Sequence, residues 1–165
     1  MLRAPLAILA AMTATAAIAA TPSSADRAFV AKVSQGGMFE VEAGKLAEGK
    51  GSTQDIRDFG TMEVHDHTLV GAKLKSISNS EGLSFASNLN PEFQGKLDHL
   101  KSLSGPAFDV AYMDEMATIH AADGAAFAKE AHDGGSPAYQ AFGTETHVIV
   151  ERHLGAIHAA APPAK

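Results

Sequence analysis

The chain has no cysteine. That absence removes a disulfide framework, a thiolate zinc site, an iron–sulfur cluster and a cysteine nucleophile together. Any metal held here must be bound by histidine, carboxylate or methionine. Tryptophan is also missing, and the other aromatics are two Tyr and eight Phe in 165 residues, a composition that suits closely packed helices better than a β-sandwich. No run of Lys or Arg makes a basic stripe, and the formal charge is -6, so nucleic acid is not an expected partner. A Gly-x-Ser-x-Gly turn and a phosphate-binding loop are absent too, which argues against the common hydrolase and nucleotide-binding chemistries.

Residues 1–20 read as a signal peptide. Arg3 supplies the positive start, Leu6 to Ile18 an apolar stretch, and Ala17-Ile18-Ala19 a small-x-small cleavage signal. Cleavage is expected after Ala19 or Ala20, with Ala25 as the alternative. The apolar run is short for a membrane span, and no cysteine follows to carry a lipid. The expectation is a protein of the periplasm, or otherwise exported, without a transmembrane segment after cleavage.

Residues 21–25 form a polar leader, and residues 26–160 a single domain. Asp26 is expected to cap a helix running to about Glu48, which Gly49-Lys50-Gly51 ends. A second helix starts at Ser52 or Thr53 and stops near Gly82. Asn88-Leu89-Asn90-Pro91 marks a turn, followed by a short helix to Leu103. Pro106 suits the first turn of a third long helix reaching about His132, and a fourth runs from Pro137 to about Ala160. Residues 161–165 are expected to be a disordered tail. Two helical hairpins joined by a long connector predict an all-α, ferritin-like antiparallel four-helix bundle, its crossover carrying a short extra helix. Strict up-down alternation is the alternative.

What is present is more telling than what is missing. Stepping by four and three along the second helix gives Ile56, Gly60, Glu63, His67, Val70, Leu74 and Ile77. This is a core stripe with two ionisable members. The other long helices each carry one: Glu40 on the first, His120 on the third and His153 on the fourth. A rise of 1.5 Å per residue places all five within roughly 10 Å of one height along the bundle. Buried charges are normally paired, hydrogen-bonded or ligated to metal. The pattern is therefore either a metal site or a polar network that sets helix register.

For a metal, the ligands would be Glu40, His67, His120 and His153, with Glu63 a fifth ligand or an outer base. Ferritin-like di-iron sites use two single Glu and two Glu-x-x-His motifs. Here Glu63 and His67 are four apart, and no acid stands three or four residues before His120 or His153. More imidazole and less carboxylate shifts the preference toward a zinc, copper or single iron ion. Asp66 is placed as an orienting acceptor for His67 or its neighbour, and Asp109 and Tyr112 nearer one bundle end. Met113 and Met116 read as core filling. His65, His99, His132, His147 and His158 read as solvated.

The stretch Gln35-Gly36-Gly37-Met38-Phe39-Glu40-Val41-Glu42-Ala43-Gly44-Lys45-Leu46-Ala47 resembles the opening helix of the bacterial "domain of unknown function 4142" family. So do Met62-x-x-x-Asp66-His67, Phe108-Asp109-x-x-Tyr112 with His120 eight residues on, and His153-Leu154. The resemblance spans about residues 27 to 160 and implies an exported ferritin-like protein of the kind often labelled an outer membrane protein. It implies site positions at Glu40, His67, Asp109, Tyr112, His120 and His153, but not at Glu63. No reaction follows from it. Three functions remain open: a metal-binding module, a non-catalytic envelope or stress-related protein with a structural polar core, and a metal-dependent oxidase or peroxide-consuming enzyme.

Overall fold

A computed structural model describes residues 21–160. The expected signal peptide and C-terminal tail lie outside the described residues. Those described contain five helices and no strand: α1 Ser24–Lys50, α2 Gln54–Ser80, α3 Pro91–Ser102, α4 Gly105–Asp133 and α5 Pro137–Ala160. None is long and apolar enough to cross a membrane.

Local chemistry explains most of the boundaries. Thr53 caps α2 by accepting from Ile56 N, and Asn90 caps α3 by accepting from Phe93 N ahead of Pro91. Gly82, at φ 69°, follows the end of α2 in a conformation that disfavours other residues. The start of α1 differs from expectation. Ser23 is the cap, accepting from Asp26 N at 3.1 Å, while Asp26 reaches back to accept from Ser23 N at 2.6 Å. Asp26 is thus the outer half of a capping box. Its other oxygen accepts from Gly135 N at 2.8 Å, which ties the start of α1 to the α4–α5 turn.

The helices pack as an all-helical bundle. α1 lies against α2 and α4, α5 against α4 and α2, and α3 against α1. At one end, Ser52 N donates to Asp109 Oδ1 at 3.0 Å and Lys50 Nζ donates to the Leu103 carbonyl at 3.0 Å, so α2 and α4 both start there. At the other, the Tyr139 hydroxyl donates to Ser78 Oγ at 3.3 Å and Ser136 Oγ donates to Glu81 at 3.1 Å. Glycine lets α1 and α2 approach closely: a Cβ at Gly60 would stand 2.8 Å from the Gly44 carbonyl and 2.8 Å from Ala47 Cβ.

The apolar core falls into two parts. One gathers Phe39, Ala47, Ile56, Phe108, Tyr112 and Ile157. The other gathers Phe29, Val33, Leu74, Phe127, Phe142 and Val150. On every long helix the boundary between the parts falls at an ionisable residue: near Glu40 on α1, between Phe59 and Leu74 on α2, at His120 on α4 and at His153 on α5. The bundle therefore has a polar layer between two apolar ones.

A further buried acid was not anticipated. Glu130, 4% exposed, stands beside Asp26 at the far end. The α4 stripe through Met116, His120, Asp123 and Phe127 reaches it one step later, so periodicity contains the signal. Burial, then the adjacent Asp26 carboxylate, push its carboxyl up to about 7. A carboxyl raised on folding stabilises the native state below its unfolded value, and that stabilisation is lost as pH climbs through the folded one. Between pH 5 and 8 the protein should lose about 1–2 kcal/mol relative to Glu130→Gln, allowing for solvent screening. Urea unfolding of both proteins across that range checks this; parallel curves would refute it.

Candidate metal centre

Four buried side chains converge in the polar layer. Glu63 and His67 come from one turn of α2, His120 from α4 and His153 from α5. One donor atom of each lies within 4.8 Å of all the others. Glu63 is at the centre: its carboxylate oxygens lie 3.2 Å from His67 Nε2, 3.3 Å from His120 Nε2 and 2.9 Å from His153 Nδ1. His120 Nε2 and His153 Nδ1 are 3.0 Å apart.

The outer ring nitrogens show what the inner ones carry. His120 Nδ1 donates to the Met116 carbonyl, an i−4 acceptor in its own helix, at 2.9 Å. His153 Nε2 donates to Asp66 Oδ2 at 2.8 Å, and Arg152 pairs with the same carboxylate. His67 Nδ1 stands 3.0 Å from Glu40 Oε2. In neutral imidazole only one nitrogen bears hydrogen. When both rings are neutral, with the N–H of His120 and of His153 pointed outward, their remaining lone pairs face each other and the Glu63 carboxylate. Among the described residues, neither Glu63 oxygen nor His67 Nε2 has a hydrogen-bond partner of acceptable geometry. The distances are short, but the angles are wrong for hydrogen bonds.

Convergent lone pairs repel unless a cation lies between them, either a proton or a metal ion. A tetrahedral zinc-type ion with bonds of about 2.0–2.1 Å holds its donors about 3.3 Å apart. Four contacts among the donors, 2.9 to 3.3 Å and involving both Glu63 oxygens, are close to that, and the set as a whole falls within 4.8 Å. Imidazoles whose outer N–H is tied to a carbonyl or carboxylate are the usual arrangement around a bound metal. The group can hold a metal ion, and its three imidazoles and one carboxylate suit zinc, copper or iron.

Electrostatics separate the two glutamates. Burial pushes the Glu40 carboxyl well above its ordinary range, and His120 only partly offsets this. Burial also raises Glu63, but its close contacts with His120, His153 and His67 outweigh burial and hold it well below the ordinary range. Burial lowers His120, yet Glu63 and Glu40 beside it raise it overall. Glu63 is therefore the more acidic of the two glutamates and Glu40 the more readily protonated.

These positions differ in part from the sequence reading. Glu40, expected as a ligand, lies outside the converging four, and Glu63, expected as a fifth ligand or base, is their hub. The cause is Gly44 and Gly60, which bring α1 and α2 so close that Glu63 projects to the centre while Glu40 meets the back of His67. Asp66 orients His153, not His67, because α5 lies on that side of α2. Asp109 is bound to Ser52 at the bundle end, away from the polar layer. Tyr112 stacks on Phe108 at 5.8 Å, and its buried hydroxyl has no hydrogen-bond partner among the described residues. Met116 and Met113 belong to the apolar core. Of the remaining histidines, His147 is half-buried and the others are exposed.

Comparison with known proteins agrees on fold and is silent on chemistry. The family described as "Domain of unknown function (DUF4142)" matches residues 11–160. No curated protein matches. A solved structure, the crystal structure of a DUF305 fragment from Deinococcus radiodurans, superposes with a TM-score of 0.73 at 10% identity, covering 84% of this chain and 95% of that one. At that identity the likeness is one of fold alone.

Proposed function

The chain belongs to the DUF4142 family, whose description names no activity, and from the site itself we propose that it binds one transition-metal ion through Glu63, His67, His120 and His153. The observation that carries this reading is the convergence of three buried imidazoles and one buried carboxylate. Two imidazoles have their outer nitrogens tied away from the centre, and all three bring an inner nitrogen within 2.9 to 3.3 Å of one buried carboxylate. A purely structural network would turn N–H groups toward Glu63 with hydrogen-bond angles, and none does so. Three imidazoles and one carboxylate suit zinc, with copper and iron as the other candidates.

In this reading the protein is an exported metal-binding module with a ferritin-like bundle. The neighbour pattern of the four long helices, and α3 on the long return from α2 to α4, support the crossover topology. Export is supported by the charged, apolar and small-residue pattern of residues 1–20. Elemental analysis of gently purified protein should find about one equivalent of metal per chain, as a single closed four-ligand site requires. The His67→Ala/His120→Ala variant should hold almost none. Equal metal content in the two would end this reading.

A further inference from the structure

The four donors are almost fully buried, between 0% and 3% exposed, so an ion that binds there needs a way in. A cavity of about 540 Å³ lies between α1, α2, the 83–90 connector and α3. Of the four donors it touches only His67, and beside His67 its wall carries Glu40 and Asp123. Phe59 packs edge-on against His153 at 6.2 Å, with Tyr112 behind it. A shallower depression beside Asp66 and Arg152 reaches none of the four.

The two acids at the cavity wall keep oxygens available to a cation. Glu40 is 1% exposed, and neither of its oxygens has a hydrogen-bond partner among the described residues. Those oxygens lie 3.0 Å from His67 Nδ1 and 3.5 Å from His120 Nδ1. Asp123 is 3% exposed, with Oδ1 3.8 Å from Lys32 Nζ. Its Oδ2 leans over Gly36, where a Cβ would stand only 3.0 Å away, one helical turn from Glu40. The glycine leaves the carboxylate room to lie against α1. Size also fits. A divalent ion with six waters at about 30 Å³ each occupies roughly 200 Å³, so it can enter hydrated.

We propose that a divalent cation reaches the buried site through this cavity, and that Asp123 and Glu40 hold it in passage before His67, His120, His153 and Glu63 take it. The proposal rests on the metal-binding reading and adds the route. Carboxylate oxygens can replace coordinated waters in steps and release the ion again. Two carboxylates are too few for a resting site, and the converging four are the only group of three or more potential ligands among the described residues. Asp123 and Glu40 therefore serve transit and leave final coordination to the imidazoles.

Cobalt(II) is the probe, because tetrahedral binding gives it a visible absorption band whose growth can be followed by stopped flow. Gly71 lines the cavity, and a Cβ there meets nothing within 4 Å, so Gly71→Phe fills the passage without displacing backbone. Gly155 is equally open but does not line the cavity, which makes Gly155→Phe the control. Loading of metal-free Gly71→Phe, and its release to a chelator, should both slow by about tenfold while the equilibrium affinity stays put, since an obstructed path alters the rates and not the end states. Asp123→Asn should slow loading and weaken its salt dependence, because a steering charge is gone. If Gly71→Phe does not fold, Gly37→Phe, at another open position on the cavity wall, takes its place. Loading of the cavity variant as fast as the control overturns the route and leaves the site standing. No cobalt band in the unaltered protein overturns both.

Discussion

Zinc ion in excess over metal-free protein should raise the Tm by roughly 5–10 °C, and Glu63→Gln should abolish the rise. A ligand that binds only the native state stabilises it by RT ln(1 + [L]/Kd), about 2.7 kcal/mol at one hundred times Kd. In a domain of this size each kcal/mol moves Tm by roughly 2–4 °C. Glu63 is the informative position because its carboxylate meets all three imidazoles, at 2.9, 3.2 and 3.3 Å. Gln keeps the shape of the side chain but removes the anionic donor, so the packing survives while the ion loses its one charged ligand. Thermal unfolding followed by circular dichroism, with and without chelator, makes the comparison. An equal shift in both proteins would place the zinc elsewhere, and no shift in the unaltered protein would leave a structural polar layer.

Gly60→Ala should lower the Tm by roughly 4–8 °C, whereas Gly71→Ala should raise it slightly. Both glycines are in α2, and exchange for alanine improves helix propensity by about 1 kcal/mol at either. They differ in what the added methyl meets. At Gly71 there is nothing within 4 Å; at Gly60 there are the Gly44 carbonyl and Ala47 Cβ at 2.8 Å and Glu48 N at 3.0 Å. Backbone atoms of a packed helix cannot swing aside like a side-chain tip, so α1 and α2 must separate. Overpacking of this kind costs about 1–3 kcal/mol, and backbone contacts belong at the upper end, leaving a net loss of about 2 kcal/mol after the propensity gain. The same separation would draw Glu40 away from His67, so the variant should also bind zinc more weakly. A Gly60→Ala protein as stable as the unaltered one would refute the close-packing account.

Helix positions were readable from the chain because their causes are local. Thr53 capping α2, Pro106 in the first turn of α4 and Gly82 after α2 each act through their own backbone or that of residues a few places away. Ser23 and Asp26 show the limit of that reading. Each is a good capping residue, and the choice between them was made by the α4–α5 turn, whose Gly135 N–H occupies the second Asp26 oxygen. Glu130 lay on a visible stripe, but its partner Asp26 is distant in sequence and close only after folding.

Periodicity alone determined which faces of the long helices turn inward, and therefore that Glu40, Glu63, His67, His120 and His153 share a polar layer at one height. A period of 3.6 residues records burial faithfully because every turn of a helix repeats the same exposure. Only the tertiary structure decided the roles within that layer: Glu63 at the hub, Glu40 behind His67, Asp66 on His153, Asp123 at the cavity wall and Asp109 at the bundle end. Those roles depend on differences of an ångström or two between side chains on separate helices. Such differences are set by how closely glycine lets α1 approach α2, and no spacing along a single chain encodes that distance.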